Sequence, residues 1–204
     1  MSDPISTIAM AAGLGWASGL RLYLVVFLLG MLGRLGWVAL PEHLQILSHT
    51  PVLAVAGIML LAEFLVDKIP GFDSLWDTIH TVIRIPAGAL LAAGTVAGID
   101  PDFTLAAALA GGVLAGTSHF AKAGTRALIN TSPEPFSNWT ASFGEDLLVP
   151  AGLWAALAHP AVFLALLAVF VLAACWLTPK LWRAVKRLRE IIGKAVGERR
   201  TRAS

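Results

Sequence analysis

Apolar residues gather in six runs, at about 5–37, 51–69, 74–98, 103–130, 140–158 and 160–178. A helix needs roughly 20 apolar residues to cross a bilayer. The first run is longer than that and is interrupted by Gly13, Gly15 and Gly19, which predicts a short helix, a kink and a full span. The fifth is short and carries Glu145, Asp146 and Pro150, which suits a half-helix or a re-entrant piece. Helix breakers separate the runs. Pro41 follows the first, and Pro51 opens the second in a position that a first helical turn tolerates. "KIPGFD" (68–73), "GIDPDF" (98–103), "NTSPEPFSNW" (130–139) and "HP" (159–160) supply the remaining breaks. The pattern predicts an all-α bundle of about six membrane segments.

Polar positions are ordered as well. Asp73, Asp77, His80 and Arg84 are spaced four, three and four apart, so they share one face of the third helix. His119, Lys122, Arg126 and Asn130 form a matching, mostly basic stripe on the fourth. Glu63, Asp67 and Lys68 lie near the end of the second run, Arg21 in the first, and Glu145 and Asp146 in the fifth. A charge at mid-bilayer costs roughly 2.5–3.5 kcal/mol on insertion scales. The stripes must therefore face protein or water, with the third and fourth helices forming a two-helix polar seam. Asp73 and Asp77 also fall near a helix N-terminus, which favours carboxylates.

Composition agrees with the pattern. The 204 residues are 57% hydrophobic and 14% charged, and mean hydropathy is +0.75; soluble domains carry about a quarter charged residues. The formal charge of +2 conceals a segregation, because nine of the fifteen Lys and Arg lie between Lys180 and Arg202. After Pro179, Leu181, Val185, Leu188, Ile192 and Val196 recur at helical spacing among basic residues. That divides the chain into a membrane domain, 1–178, and a basic amphipathic tail, 179–204, held in the cytoplasm by the positive-inside rule. No nucleic-acid recognition motif accompanies the basic residues. The N-terminal MSDPIS lacks the positive region of a signal peptide, so the first segment is expected to be retained. The lone Cys175 excludes a disulfide within the chain.

A weak internal repeat relates 70–88 to 133–152. Pro, Ser and Trp coincide at an offset of 63, and a Pro-Ala-Gly triplet at 64. Repeats of this kind are common in transporters, where they meet at a midplane site.

The candidate binding residues for a solute or ion are Arg21, Glu63, Asp67, Lys68, Asp73, Asp77, His80, Arg84, His119, Lys122, Arg126, Asn130, Glu145 and Asp146. Intramembrane charge is a functional-site hypothesis by default. The bland reading is a set of salt bridges that fix helix register. No HExxH, paired CxxC or EF-hand pattern is present, and the nearby Arg and Lys oppose a metal cation. Pairing His80 with Asp77, or His119 with Glu145, leaves the metal question open. No catalytic motif is found, and adjacent Ser118 and His119 point about 100° apart on a helix. Neither a catalytic residue nor a cofactor is expected. The amides and hydroxyls of "NTSPEPFSNW" suit either a surface loop or a non-helical segment lining a cavity.

"ASGLRLYLVVFLLG", "EFLVDKIPGFDSLWDTIHTVIRIPAGALLAA" and "HFAKAGTRALINTSPEPFSNWTASFGED" resemble the bacterial membrane-protein family known as domain of unknown function 4126. The resemblance spans about residues 10–155 and implies a small multi-pass membrane protein without implying an activity. The leading expectation is a transporter or channel for a small polar or ionic solute in the bacterial cytoplasmic membrane. Binding, flipping or cleavage of a phosphorylated lipid is one alternative, and a structural or assembly role is another. The expected partners are the bilayer and a solute, ion or lipid headgroup, with homo-oligomerisation open.

Overall fold

The computed structural model describes residues 3–69, 71–131 and 135–202, and side chains to residue 180 except at 135 and 178, with Arg183 and Lys186 beyond. Six α-helices follow the six apolar runs: α1 (Pro4–Arg34), α2 (Thr50–Val66), α3 (Phe72–Val96), α4 (Pro101–Ile129), α5 (Pro135–Ala158) and α6 (Pro160–Arg202). A short 3₁₀ turn, Glu42–Ser48, precedes α2. Helices α1, α3, α4 and the Pro160–Leu177 part of α6 are long and apolar enough to cross a membrane. The 3₁₀ turn and α2, bent by 66° against each other, are together long and apolar enough for a broken span or a re-entrant loop.

The helix starts follow local chemistry. Pro sits in the first turn of α1, α2 and α4, where its missing N–H costs nothing. The Asp100 side chain caps α4 by accepting from the amides of Asp102 and Phe103. Gly71, at φ +86°, turns the chain sharply from α2 into α3. One boundary differs from the sequence reading. The break expected over 130–139 is shorter, because α5 begins at Pro135 and already contains Ser137, Asn138 and Trp139. Proline fits a first helical turn, so it starts this helix instead of delaying it. Ser132, Pro133 and Glu134 lie outside the described residues. Helix α6 continues through Pro179, and the amphipathic face expected of the tail likewise lies outside the described side chains.

The exposure pattern is the reverse of a soluble protein's. Val82, Leu147 and Leu172 are more than 70% exposed, whereas Arg21, Arg84 and Arg126 are wholly buried. Apolar side chains face outward and charges inward, as expected of a multi-pass membrane protein. Helix α1 is the hub, since it packs on every other element. It meets α3 and α4 through small residues. A Cβ on Gly15 would stand 2.7 Å from the Gly111 Cα, and one on Gly19 would collide with the Ser118 hydroxyl and the Ala115 carbonyl. Close helix approach through small residues is the usual membrane solution.

Helices α3 and α4 each have two halves. Their buried positions are charged at the end next to the α2–α3 and α4–α5 connections, and small or apolar (Gly88, Leu91, Ala92; Gly111, Ala115) at the other. The repeat is visible in the element boundaries. Val66 and Ile129 end α2 and α4, while Phe72 and Pro135 begin α3 and α5, both pairs 63 positions apart. Glu63 and Asp67 stand at the same offset from Arg126 and Asn130.

Candidate functional site

Five helices deliver charge to one place. Helix α1 contributes Arg21, which is also where its helical geometry fails (φ −144°, ψ 73°). The expected kink exists, but at an arginine and not at the preceding glycines. A break interrupts the i→i−4 ladder and frees carbonyls on its N-terminal side. Those carbonyls are taken up by the site: Lys122 Nζ donates to Leu20 O (3.2 Å) and Arg84 Nη1 approaches Gly19 O (3.4 Å). One turn earlier, the Ser118 hydroxyl donates to Trp16 O (2.7 Å).

Arg21 pairs with Asp67 (2.7 Å), Asp146 (3.0 Å) and Glu145 (3.6 Å), and donates to the Ser142 hydroxyl (2.9 Å). Lys122 bridges Asp67 (2.9 Å), Glu145 (3.1 Å) and Asp77 (3.6 Å). Arg84 joins Glu63 (2.5 Å) to Asp77 (2.8 Å). Arg126 reaches Glu145 (3.3 Å) and Asp73 (4.0 Å), and donates to the carbonyls of Asn138 (2.9 Å) and Asp67 (3.2 Å). Asn130 donates to Asp73 Oδ1 (2.8 Å) and Ser74 Oγ (2.9 Å), and accepts from Asn138 (2.7 Å).

His119 is held from both sides. A guanidinium only donates, so the contact of Arg84 Nη1 with His119 Nδ1 (3.3 Å) makes Nδ1 an acceptor. The proton then sits on Nε2, which donates to Thr81 Oγ1 (2.7 Å). Thr81 in turn donates to the Asp77 carbonyl (2.9 Å).

The seam between α3 and α4 is present, and those two helices form the most extensive interface in the bundle. Two of the expected residues stand at its edge. His80 donates through Nδ1 to Trp76 O (2.9 Å), its ring stacked on Trp76 (4.1 Å) and edge-on to Tyr23. Lys68 lies over the Phe64 ring (3.0 Å) and donates to Phe64 O (3.1 Å) and to Ser142 (3.4 Å), so it touches the network only through a shared hydroxyl. Neither proposed histidine–carboxylate metal pair forms. Among the described residues, no group of three or more His, Cys, Asp or Glu is arranged to hold a metal ion.

The sequence reading missed Ser142, Asn138 and Thr81 as participants. A signal existed for two of them. Asn138, Ser142 and Glu145 are spaced four and three apart, the same helical stripe as in α3. The two prolines beside Asn138 obscure it, because they suggest a non-helical segment where α5 already runs. Thr81 gave no signal, since it lies beside the main stripe and is recruited by His119 from α4.

The network fills the half of the bundle beside the α2–α3 and α4–α5 connections. Among its carboxylates, the side chains of Glu145 and Asp146 are 14% and 19% exposed. Such an arrangement can hold protons or charged groups away from the apolar shell, and reaches the surface of the bundle along α5. An inward-facing polar core inside an apolar shell defines an intramembrane ion-network protein of the helical-bundle class. The chain matches the family described as a domain of unknown function (DUF4126) over residues 8–180, and belongs to it. Comparison with curated proteins and with solved structures finds no match.

Proposed function

We propose that the protein moves a small polar or ionic solute across the bacterial cytoplasmic membrane, with its basic C-terminus in the cytoplasm. The observation that carries this reading is the break of α1 at Arg21 inside the charged network, where Lys122 and Arg84 hold the released carbonyls. Interrupted helices with backbone groups turned inward are a recurring way to build intramembrane solute sites. The doubled helix–turn–helix of α2–α3 and α4–α5 supports the same reading. The half-and-half bundle favours a carrier over an open channel, because the small-residue half closes the path that Glu145 and Asp146 open.

Fixing register would explain ion pairing, and an assembly protein would share it. It would not explain the break of α1 at Arg21 inside the charged set, where the four buried carboxylates already balance the four buried cations. The lipid reading has weaker support. The apolar cavity of about 340 Å³ between α1 and α5 is lined by residues such as Leu14, Leu29, Trp37, Leu153 and Trp154, and by no member of the network.

The test is solid-supported-membrane electrophysiology on reconstituted protein, with jumps of inorganic ions, small organic anions and small organic cations. Asp77→Asn and Arg126→Gln serve as paired variants. The reading expects a solute-specific current that both variants reduce at least tenfold. A current insensitive to both places transport elsewhere, and no current across the panel from folded protein rejects it.

A further inference from the structure

Helix α1 is longer than one crossing requires. As a straight rod its 31 residues would measure about 46 Å, against a hydrocarbon core of about 30 Å. The break at Arg21 divides it into two halves, and the neighbours of each half give its direction.

The first half runs beside α4 in the same sense. Gly15 faces Gly111, and one turn on Gly19 faces Ala115 and Ser118. Ala11 clusters with Ala92, Val96 and Ala107, next to the α3–α4 connection. Against α5 the sense is opposite, with Gly13 beside Ala156, Trp16 beside Gly152 and Arg21 bonded to Ser142. Arg21 therefore stands at the far end from Ala11, where it meets Asp67 at the close of α2.

The second half comes back. Phe27 lies against Gly57 and Gly30 against Leu53, antiparallel to α2. Gly30 also meets the Leu47 carbonyl of the 3₁₀ turn, and that turn sets Leu44 on Gly94 near the end of α3. The two halves share one cavity, lined by Met10 and Leu14 from the first and Leu28 and Leu32 from the second. Both ends of α1 thus lie at the α3–α4 end of the bundle, and its middle lies in the charged half. The other helices alternate. Helices α2 and α4 run toward the charged end, and α3 and α5 run away from it. Helix α6 starts at the far end, with Phe163 beside Gly13, and reaches the charged end, where Cys175 and Pro179 share a cavity with Phe120. Helices α2 to α6 each pass along the bundle once, and α1 enters it and returns.

We infer that α1 is a re-entrant hairpin, entering and leaving by one face of the membrane, and that Asp3 and Lys186 lie on opposite faces. An odd number of crossings, α2 to α6, separates them. A non-helical turn at membrane depth is tolerated where protein buries it, and Arg21 is wholly buried. The hairpin carries Arg21 and the carbonyls of Gly19 and Leu20 into the network from the face opposite the tail. None of this depends on the transport reading.

Single cysteines in a Cys175→Ala background test the inference. Asp3→Cys, Gln45→Cys and Lys186→Cys all fall at exposed positions. A membrane-impermeant maleimide is applied to sealed right-side-out and inside-out vesicles. Asp3→Cys and Gln45→Cys should react in the same vesicle orientation, and Lys186→Cys in the other. Reaction of Asp3→Cys and Gln45→Cys in opposite orientations would make α1 a span and overturn the inference, as would reaction of Asp3→Cys together with Lys186→Cys. A second measurement does not depend on vesicle orientation. Spin labels on Asp3→Cys and Gln45→Cys in one chain should lie less than about 30 Å apart, the thickness of the hydrocarbon core, by pulsed electron paramagnetic resonance. A separation at or above that thickness overturns the hairpin.

Discussion

Lys122 on α4 donates a hydrogen bond to the carbonyl of Leu20, the residue before the break in α1, across 3.2 Å. A helix end inside a membrane must have its carbonyls satisfied by protein. Here a cation does so, and its positive charge also suits the negative end of the helix dipole. The same ammonium holds Asp67 and Glu145.

Lys122→Met should therefore remove an ion pair and a helix cap together. Breaking a buried pair from one side costs about 3–5 kcal/mol, because the partner charge is left uncompensated. Asp67 keeps Arg21, which places the loss toward the lower end. Denaturant unfolding in detergent, followed by far-ultraviolet circular dichroism, measures the effect. A loss under about 1 kcal/mol, the range of an exposed pair, contradicts the role assigned to Lys122.

Arg84→Met leaves Glu63 and Asp77 without their shared guanidinium. The single variant should lose about 3–5 kcal/mol. Adding Glu63→Gln removes one of the two carboxylates and should recover part of the loss. A double-mutant cycle on thermal unfolding reads the coupling, and strict additivity would mean that the two side chains do not interact.

Gly19→Ala should destabilise the protein by about 1–3 kcal/mol, the usual cost of overpacking. Its Cβ would meet the Ala115 carbonyl, a backbone atom that cannot swing away. Gly144→Ala is the contrasting variant, since nothing lies within 4 Å of its Cβ. There the helix propensity of alanine should add up to about 1 kcal/mol. Paired melting curves in one detergent compare them, and equal shifts would refute the close α1–α4 approach.

Much of this site was legible from spacing. Asp73, Asp77, His80 and Arg84 announce a face because a helix repeats every 3.6 residues, and charge on an apolar helix must point inward. What spacing cannot give is which charge meets which. The pairing of Arg21 with Asp67 and Asp146 joins three elements, and only packing sets it. The break at Arg21 was displaced from its expected glycines for the same reason. Gly15 and Gly19 serve close contact with α4, whereas the donors Lys122 and Arg84 hold the open turn. The start of α5 at Pro135 is not legible from spacing either, because proline breaks a helix interior but fits a first turn.

Asp146 separates function from stability. Its carboxylate is 19% exposed and pairs with Arg21, which keeps Asp67, Glu145 and Ser142 if that contact is lost. Partly solvated pairs contribute little, about 0–1 kcal/mol. Asp146→Asn should therefore unfold within about 1 kcal/mol of the unaltered protein. Yet Asp146 and Glu145 are the carboxylates of the network that reach the surface of the bundle, so the proposed transport would pass them. Solute current should fall several-fold in Asp146→Asn and further in the double variant with Glu145→Gln, whose carboxylate touches three cations. Full current in the double variant would show that the solute enters by another route, and a large stability loss in Asp146→Asn would show that this edge is structural.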